Sequence, residues 1–409
     1  MLVVSHPTGN EFVRALLYEA AKRAVLLKFF TTLATAKSDC LWPARVGRRR
    51  AYALPKSILE TRPMRESVRL LATSMGFTWL TRHECGWASV DAVYRDLDAH
   101  MATWLTSLGK AKFSGAVHAY EDGALATFQA ARQQGLRCSY ELPIVYWETS
   151  RRLLAEEALR YPEWEPTLVG TRDSAAKLER KTREIDLADV VVCPSAFVAR
   201  SVPERHSKKC VVAEFGSPEV PSASIASHSR NRPFRLLFAG SMTQRKGLAD
   251  LFAAMRLLKR KDIILVVFGA PLAPHEFYRR QYPDFIYEPP RAHAEVLTLM
   301  GSCDALVLPS IVEGRALVQQ EAMQCGLPLV VTANAGGEDL IEAGRTGFLV
   351  PIRSPEALAE KIAWFADHRA DLFEMGLLAR QKSAQYTWPA YAQKILSHAL
   401  IVEDCGADH

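Results

Sequence analysis

The sequence predicts an α/β protein of two doubly wound domains, each a parallel sheet covered by helices. Three observations carry that expectation. Short apolar runs bounded by turn residues alternate with helical patterns along the chain, as parallel β–α units require. One stretch rich in Ser, Pro and Ala, residues 216–233, breaks the alternation and has no apolar periodicity of its own. The length, 409 residues, also exceeds one ordinary core. The expected division is a first domain over 1–215, a linker over 216–233 and a second domain over 234–385. The closing segment 386–409 is expected to pack back on the first domain.

In chain order, Met1 to Ser5 reads as a buried strand that enters the turn His6-Pro7-Thr8-Gly9-Asn10. A helix is expected from about Glu11 to Phe30, with Leu16, Leu17, Ala20, Ala24, Leu27 and Phe30 as its core face. Gly9 and Asn10 can bring backbone amides close to a ligand with a helix dipole behind them, although tight strand–helix packing alone favours the same residues. Residues 38–70 read as an irregular basic loop, with Arg48, Arg49 and Arg50 in a row and Pro43, Pro55 and Pro63 interrupting. Segment 113–135 reads as strand, polar turn and helix, closed by Gly135. Arg137 to Trp147 reads as the next strand, ending at Tyr146, Trp147 and Glu148, and Leu187 to Val192 as another. His118, Glu121 and Asp122 fall at the C-terminal end of one such strand, where a ligand role and a structural one are both open.

Beyond the linker the alternation resumes. Strands are expected at Phe234–Ala239, Ile263–Phe268, Phe285–Tyr287, Ala305–Leu308 and Leu329–Val331. Helices are expected at about 248–258, at 293–301, and from the turn after Leu308 to Gly326, followed by two more after Gly347-Phe348-Leu349-Val350-Pro351.

Composition narrows the classes. With 49% hydrophobic and 23% charged residues the chain reads as globular, and its net charge of +6 is modest. Residues 1–70 hold 13 Lys and Arg against 5 Asp and Glu, a local +8. That suits an anionic partner, either a membrane surface or an acidic substrate, and equally a solvated basic face. Eight cysteines are scattered without a C-x-x-C pair, which is neither a disulfide framework nor a zinc pattern. No charged leader with an apolar core opens the sequence and no run of eighteen apolar residues occurs, so a reducing cytoplasm is the expected location. No nucleic-acid partner is expected.

Two clusters carry chemistry. Gly240 to Gly247 sets Arg245 and Lys246 at a glycine-bounded turn opening a helix, where cations and helix amides can neutralise a departing diphosphate. It lacks the G-x-x-x-x-G-K-[ST] pattern of a P-loop, and a solvated basic turn would look the same. Glu313 and Glu321 stand eight positions apart on a strand–turn–helix unit. They could serve as acid and base, as in a glycoside hydrolase, or as one contact to a sugar and one to ribose hydroxyls.

Taken together, F-A-G-S-M-T-Q-R-K-G-L, L-P-S-I-V-E-G-R-A-L-V-Q-Q-E-A-M-Q-C-G-L-P-L-V-V and A-G-G-E-D-L-I-E-A-G-R-T-G-F-L-V-P resemble the retaining glycosyltransferases of family 4. The resemblance is strong over about 234–384 and weaker through H-P-T-G-N-E-F-V-R, A-V-H-A-Y-E-D-G-A and V-V-V-C-P-S-A-F-V. It implies the GT-B fold, two Rossmann-like domains facing across a cleft. It further implies a nucleotide diphosphate sugar held mainly by the second domain, and a glycan or lipid-linked acceptor approaching from the first. Arg245 and Lys246 match the family's diphosphate-binding pair. Glu313 matches the glutamate facing the transferred sugar, Glu321 the one binding ribose, and Gly9 the glycine turn near the phosphates. Gly240, Gly269 and the segment after Phe285 would lie near the nucleotide, and the amides of Ala316, Leu317 and Val318 would reach phosphate or sugar.

The resemblance also implies transfer with retention, without a covalent nucleophile and without a metal. Two departures bear on this. Gly314-Arg315-Ala316 replaces the common Gly-Phe-Gly, and Trp147 or Glu148 stands where many members carry an acceptor-side histidine, leaving His118 as the other candidate there. The expected product is a surface polysaccharide or glycolipid, made at the inner face of a membrane. A GT-B epimerase or phosphorylase, and a nucleotide-sugar-binding module that has lost catalysis, remain as alternatives.

Overall fold

The computed structural model describes residues 1–34, 50–109, 114–221, 224–226 and 232–400. Pro43, Arg48 and Arg49, named above, lie outside the described residues, as do Cys40, Cys405 and parts of the linker and of the C-terminal segment.

The first sheet contains β1 (Leu2–Ser5), β2 (Leu26–Thr31), β3 (Leu59–Thr61), β4 (Ala116–Tyr120), β5 (Arg137–Glu141), β6 (Val190–Cys193) and β7 (Cys210–Val212). Its strands lie in the order β3-β2-β1-β4-β5-β6-β7, all parallel. The second contains β8 (Phe234–Ala239), β9 (Ile263–Phe268), β10 (Phe285–Glu288), β11 (Ala305–Leu308), β12 (Leu329–Val331) and β13 (Gly347–Leu349). Their order is β10-β9-β8-β11-β12-β13, again parallel throughout. A parallel sheet with helices on both faces buries every side chain, which is why Val190–Cys193 and Ala305–Leu308 are unbroken apolar runs.

Among the described residues, the helices of the first half longer than one turn are α1 (Glu11–Lys22), α2 (Pro63–Met75), α3 (Val90–Ser107), α4 (Leu125–Gln133), α5 (Trp147–Arg160), α6 (Ala175–Leu187) and α7 (Ala196–Ser201). Those of the second are α8 (Leu248–Leu258), α9 (His275–Gln281), α10 (His293–Gly301), α11 (Leu317–Gln324), α12 (Pro355–Asp367), α13 (Leu372–Ala384) and α14 (Trp388–Ala399). Helix α14 returns to the first sheet. Its Tyr391, Ile395 and Leu396 share one buried cluster with Val13, Leu16 and Leu17 of α1. Between β7 and β8 the described residues carry no strand and no α-helix.

Three local expectations are corrected. The helix expected to Phe30 ends at Lys22, and 26–31 is strand β2. Ala24 at φ 54° turns the chain there, and the apolar run Leu26–Phe30 is buried by sheet pairing with β1. A short apolar run suits either element, so the sequence pattern could not separate them. Within the expected loop 38–70, Pro63 opens a helix rather than interrupting a coil, since the first helical turn tolerates its missing N–H. The strand expected to reach Trp147 stops at Glu141, and Trp147 begins α5.

The sheet orders fix where loops gather. Order reverses between β1 and β4 in the first sheet and between β8 and β11 in the second. At such a reversal neighbouring crossovers leave to opposite faces and open a crevice at the carboxyl ends of the strands. The crevice of the first sheet receives His6–Asn10, and that of the second receives Gly240–Gly247 and Pro309–Ala316.

His6, at the start of the first of these turns, is buried against the rings of Phe12 and Tyr120, with centroids 5.3 and 4.5 Å away. Burial disfavours its imidazolium and lowers its pKa to about 4. Unfolding therefore takes up a proton between about pH 6.5 and pH 4, so stability is full above that window and declines as the pH falls through it. The loss amounts to about 3 kcal/mol. Urea midpoints followed across this range should show the slope in the native chain and a flatter one in His6→Gln.

Candidate functional site

The turn after β8 is shaped by two glycines. A Cβ on Gly269 would stand 1.9 Å from the carbonyl oxygen of Gly240, so the two strand ends approach as only glycine permits. A Cβ on Gly240 would meet the Lys246 stem at 2.7 Å. Lys246 thus crosses over the bare backbone of Gly240 with its ammonium group beyond.

The turn after β11 is laced to this one. The Arg245 carbonyl accepts from the amides of Ile311 (2.9 Å) and Val312 (3.2 Å), and the Arg245 guanidinium donates to the Val312 carbonyl at 2.8 Å. This lacing brings Glu313 to both cations. Its carboxylate pairs with Lys246 and lies 3.1 Å from Arg245 Nη1. Burial alone would raise the Glu313 carboxyl; the charges of Lys246 and Arg245 outweigh it and hold the group below the usual carboxylate range. The cluster is therefore two cations around one carboxylate, with a net positive charge for an anion to claim.

Glu321 lies on α11, whose first turn follows Glu313. It lines a cleft of about 960 Å³ together with Leu317, Gln324, Trp388 and, from the first domain, Gly9, Asn10, Glu11 and Arg14. His293 at the start of α10 lies 3.0 Å from Glu321, and that hydrogen bond raises the His293 pKa above its ordinary value. The predicted Gly9, Asn10, Leu317 and Glu321 thus share one cleft, while Glu313, Arg245, Lys246, Gly240 and Gly269 gather at the ends of β8, β9 and β11. Arg245 also borders a smaller cleft of about 250 Å³ with Val312, Trp147 and Arg151.

Two expectations need revision. His118 is buried within the first sheet, with Nδ1 2.9 Å from Ser139 Oγ and Nε2 2.9 Å from Glu141. Glu141 also accepts from Tyr391 of α14 at 2.6 Å, so the histidine belongs to a network anchoring the C-terminal helix rather than to either cleft. The Ala316 amide donates to the Ala335 carbonyl at 3.1 Å and is spent on that contact, whereas Leu317 and Val318 stand in the helix's first turn, where intrahelical acceptors are lacking. Arg315 points away from the cations, pairing with Asp339 at 2.8 and 3.0 Å under the ring of Tyr386.

Sequence reasoning missed the supports. Gln244, fully buried, donates to Glu157 of α5 (2.6 Å) and Asp250 (2.8 Å) and accepts from the Ala249 amide (2.8 Å). Thr243 donates to the Thr167 carbonyl at 2.8 Å. The basic turn is therefore held by the first half of the chain as well as the second. No local motif signals the pairings with Glu157 and Thr167, because those partners lie 87 and 76 residues away.

Gly314 packs its bare backbone against the first half of the chain. A Cβ there would stand 1.8 Å from the Pro143 carbonyl, and Ser195 donates to the Gly314 carbonyl at 2.7 Å. Gly314→Ala should cost about 1–3 kcal/mol of stability through overpacking, measured as a shift in urea midpoint.

This is the GT-B fold: two parallel-sheet Rossmann-like domains with their crevices turned to one another. Residues 233–368 match the family of group 1 glycosyl transferases. The putative colanic acid biosynthesis glycosyltransferase WcaL of Salmonella typhimurium is 32% identical over 167 residues, covering 37% of this chain and 41% of that protein. A D-inositol 3-phosphate glycosyltransferase of Paenarthrobacter aurescens is 28% identical over 166 residues, 38% of this chain and 41% of that one. The matches to these relatives thus span about two fifths of their length. Among solved structures, sucrose-phosphate synthase of Thermosynechococcus elongatus superposes with a TM-score of 0.65 at 17% identity over 96% of both chains. Anabaena HepE in complex with UDP gives 0.61 at 14% identity, over 97% of this chain and 98% of that one.

Proposed function

We propose that this protein is a retaining glycosyltransferase that moves a sugar from a nucleotide diphosphate sugar to an acceptor hydroxyl in surface polysaccharide or glycolipid synthesis. The observation that carries the reading is the cluster of Glu313 between Lys246 and Arg245, at the sheet reversal where a GT-B domain can hold its donor. The group 1 match over this same domain, and the UDP-bound neighbour of the same fold, support it.

In this reading a diphosphate displaces the Glu313 carboxylate from the two cations. The freed carboxylate then faces the transferred sugar, while Glu321 accepts hydrogen bonds from ribose hydroxyls. Lys246 and Arg245 neutralise the charge that develops on the leaving diphosphate, so the departure requires no metal. The acceptor enters from the first domain beside Trp147, and its proton passes to a leaving phosphate oxygen as its hydroxyl attacks the same face. The protein's contribution is position and charge rather than a strong base.

The test is incubation with UDP-, GDP- and ADP-sugars in chelator, following nucleoside diphosphate release and the anomeric configuration of any product by NMR. The reading expects chelator-insensitive release from one donor and a product of retained configuration. An inverted product would overturn retention, and release from none of the donors, with none bound, would overturn the reading as a whole.

A further inference from the structure

Helix α2 is built inside out. Its buried positions are Glu66 and Ala72, while Met64, Leu71 and Met75, spaced to share one face, lie 63%, 59% and 56% exposed. A surface helix ordinarily turns such a stripe inward. Here the inward face is polar: Glu66 accepts from Arg50 at 2.5 Å and from Arg69 at 2.7 Å.

The chain after α2 extends the same exposed surface. Phe77 is 44% and Trp79 68% exposed, and the Phe77 amide bonds back to the Ala72 carbonyl at 2.8 Å. Trp87 lies against α2, with the Arg65 guanidinium 4.7 Å from its ring centroid. Residues 61–83 contain four arginines and one acidic residue, Glu66, which is buried and neutralised. Arg62 and Arg82 are exposed at the two ends of this surface. Arg62 and Arg65 share the carboxylate of Asp96, at 3.2 and 3.7 Å, so the result is an apolar, aromatic face flanked by a small excess of positive charge. Isolated exposed apolar residues need no explanation, but a contiguous patch marks an interaction surface. Leu, Met, Phe and Trp beside Arg suit the boundary of a bilayer, where apolar groups enter below the headgroups and cations meet anionic lipid.

We propose that α2 and residues 76–82 dock this protein on an anionic lipid surface. The proposal is independent of the transfer reading, and either can fail alone. The experiment is co-sedimentation of the full chain with vesicles of equal parts phosphatidylglycerol and phosphatidylcholine, and with phosphatidylcholine alone. Binding is expected to the anionic vesicles only, weakening as salt is added. Leu71→Ser with Trp79→Ser should reduce it by roughly tenfold or more, and Arg82→Glu should reduce it also. Both substitutions fall on exposed positions, and an unchanged thermal midpoint would show the fold intact. Absence of binding at low salt would overturn the proposal, as would equal binding to both vesicle types or indifference to the double substitution. A dimer in light scattering that the double substitution dissociates would overturn it too, by naming a second copy as the occupant.

Discussion

Lys246→Ala should lower kcat/KM for nucleoside diphosphate release by about 10²- to 10³-fold, the usual consequence of deleting one donor aimed at charge that grows in a transition state. The geometry makes Lys246 hard to replace. Its stem runs across Gly240, where a Cβ would intrude at 2.7 Å, so the ammonium position is set by backbone and not by a flexible surface rotamer. Arg245 cannot take over alone, because its guanidinium is also committed to the Val312 carbonyl. The fall should appear chiefly in kcat if Lys246 acts on the leaving diphosphate, and chiefly in KM if it only binds the donor. Glu313→Gln separates the roles further. Removing its charge takes away the group that pairs with Lys246, so nucleoside diphosphate should bind as tightly or more tightly while turnover falls.

The second large effect concerns stability. Glu66→Ala should cost about 3–5 kcal/mol, because it leaves the Arg50 guanidinium buried without its counter-charge. Arg50 is 6% exposed and also donates to the Pro7 carbonyl at 2.6 Å and to Thr32 at 3.1 Å. The pair therefore ties α2 both to the first sheet and to the turn that leads into Gly9 and Asn10. Glu66→Gln, which keeps the shape and one acceptor, should cost less. Chemical denaturation of the two variants, compared with the native chain, measures the difference.

The sequence made the fold legible where a physical rule acts over a short span. Phe234–Ala239, Ile263–Phe268 and Ala305–Leu308 are apolar runs with turn residues at each end, and each is a strand as expected. The same rule misled at Leu26–Phe30, where only pairing with β1 decides between helix and strand. The residue types of the site were legible too, since Arg245, Lys246 and Glu313 do meet. Their mutual pairing was not, because it depends on the carbonyl of Arg245 capturing the amides of Ile311 and Val312 across two loops. His118 shows the converse: a histidine at a strand end looked available, and its partners Ser139 and Glu141, on the neighbouring strand, are what close it off. The support from Glu157 and Thr167 to the basic turn lay wholly beyond local pattern.

The most direct measurement is a calorimetric titration of the native chain, Lys246→Ala and Glu313→Gln with UDP, GDP and ADP, each beside its nucleoside. The account predicts that one nucleoside diphosphate binds, that its nucleoside binds far more weakly, that Lys246→Ala weakens the diphosphate by roughly tenfold or more, and that Glu313→Gln does not weaken it. A diphosphate that binds Lys246→Ala as well as it binds the native chain would contradict the account.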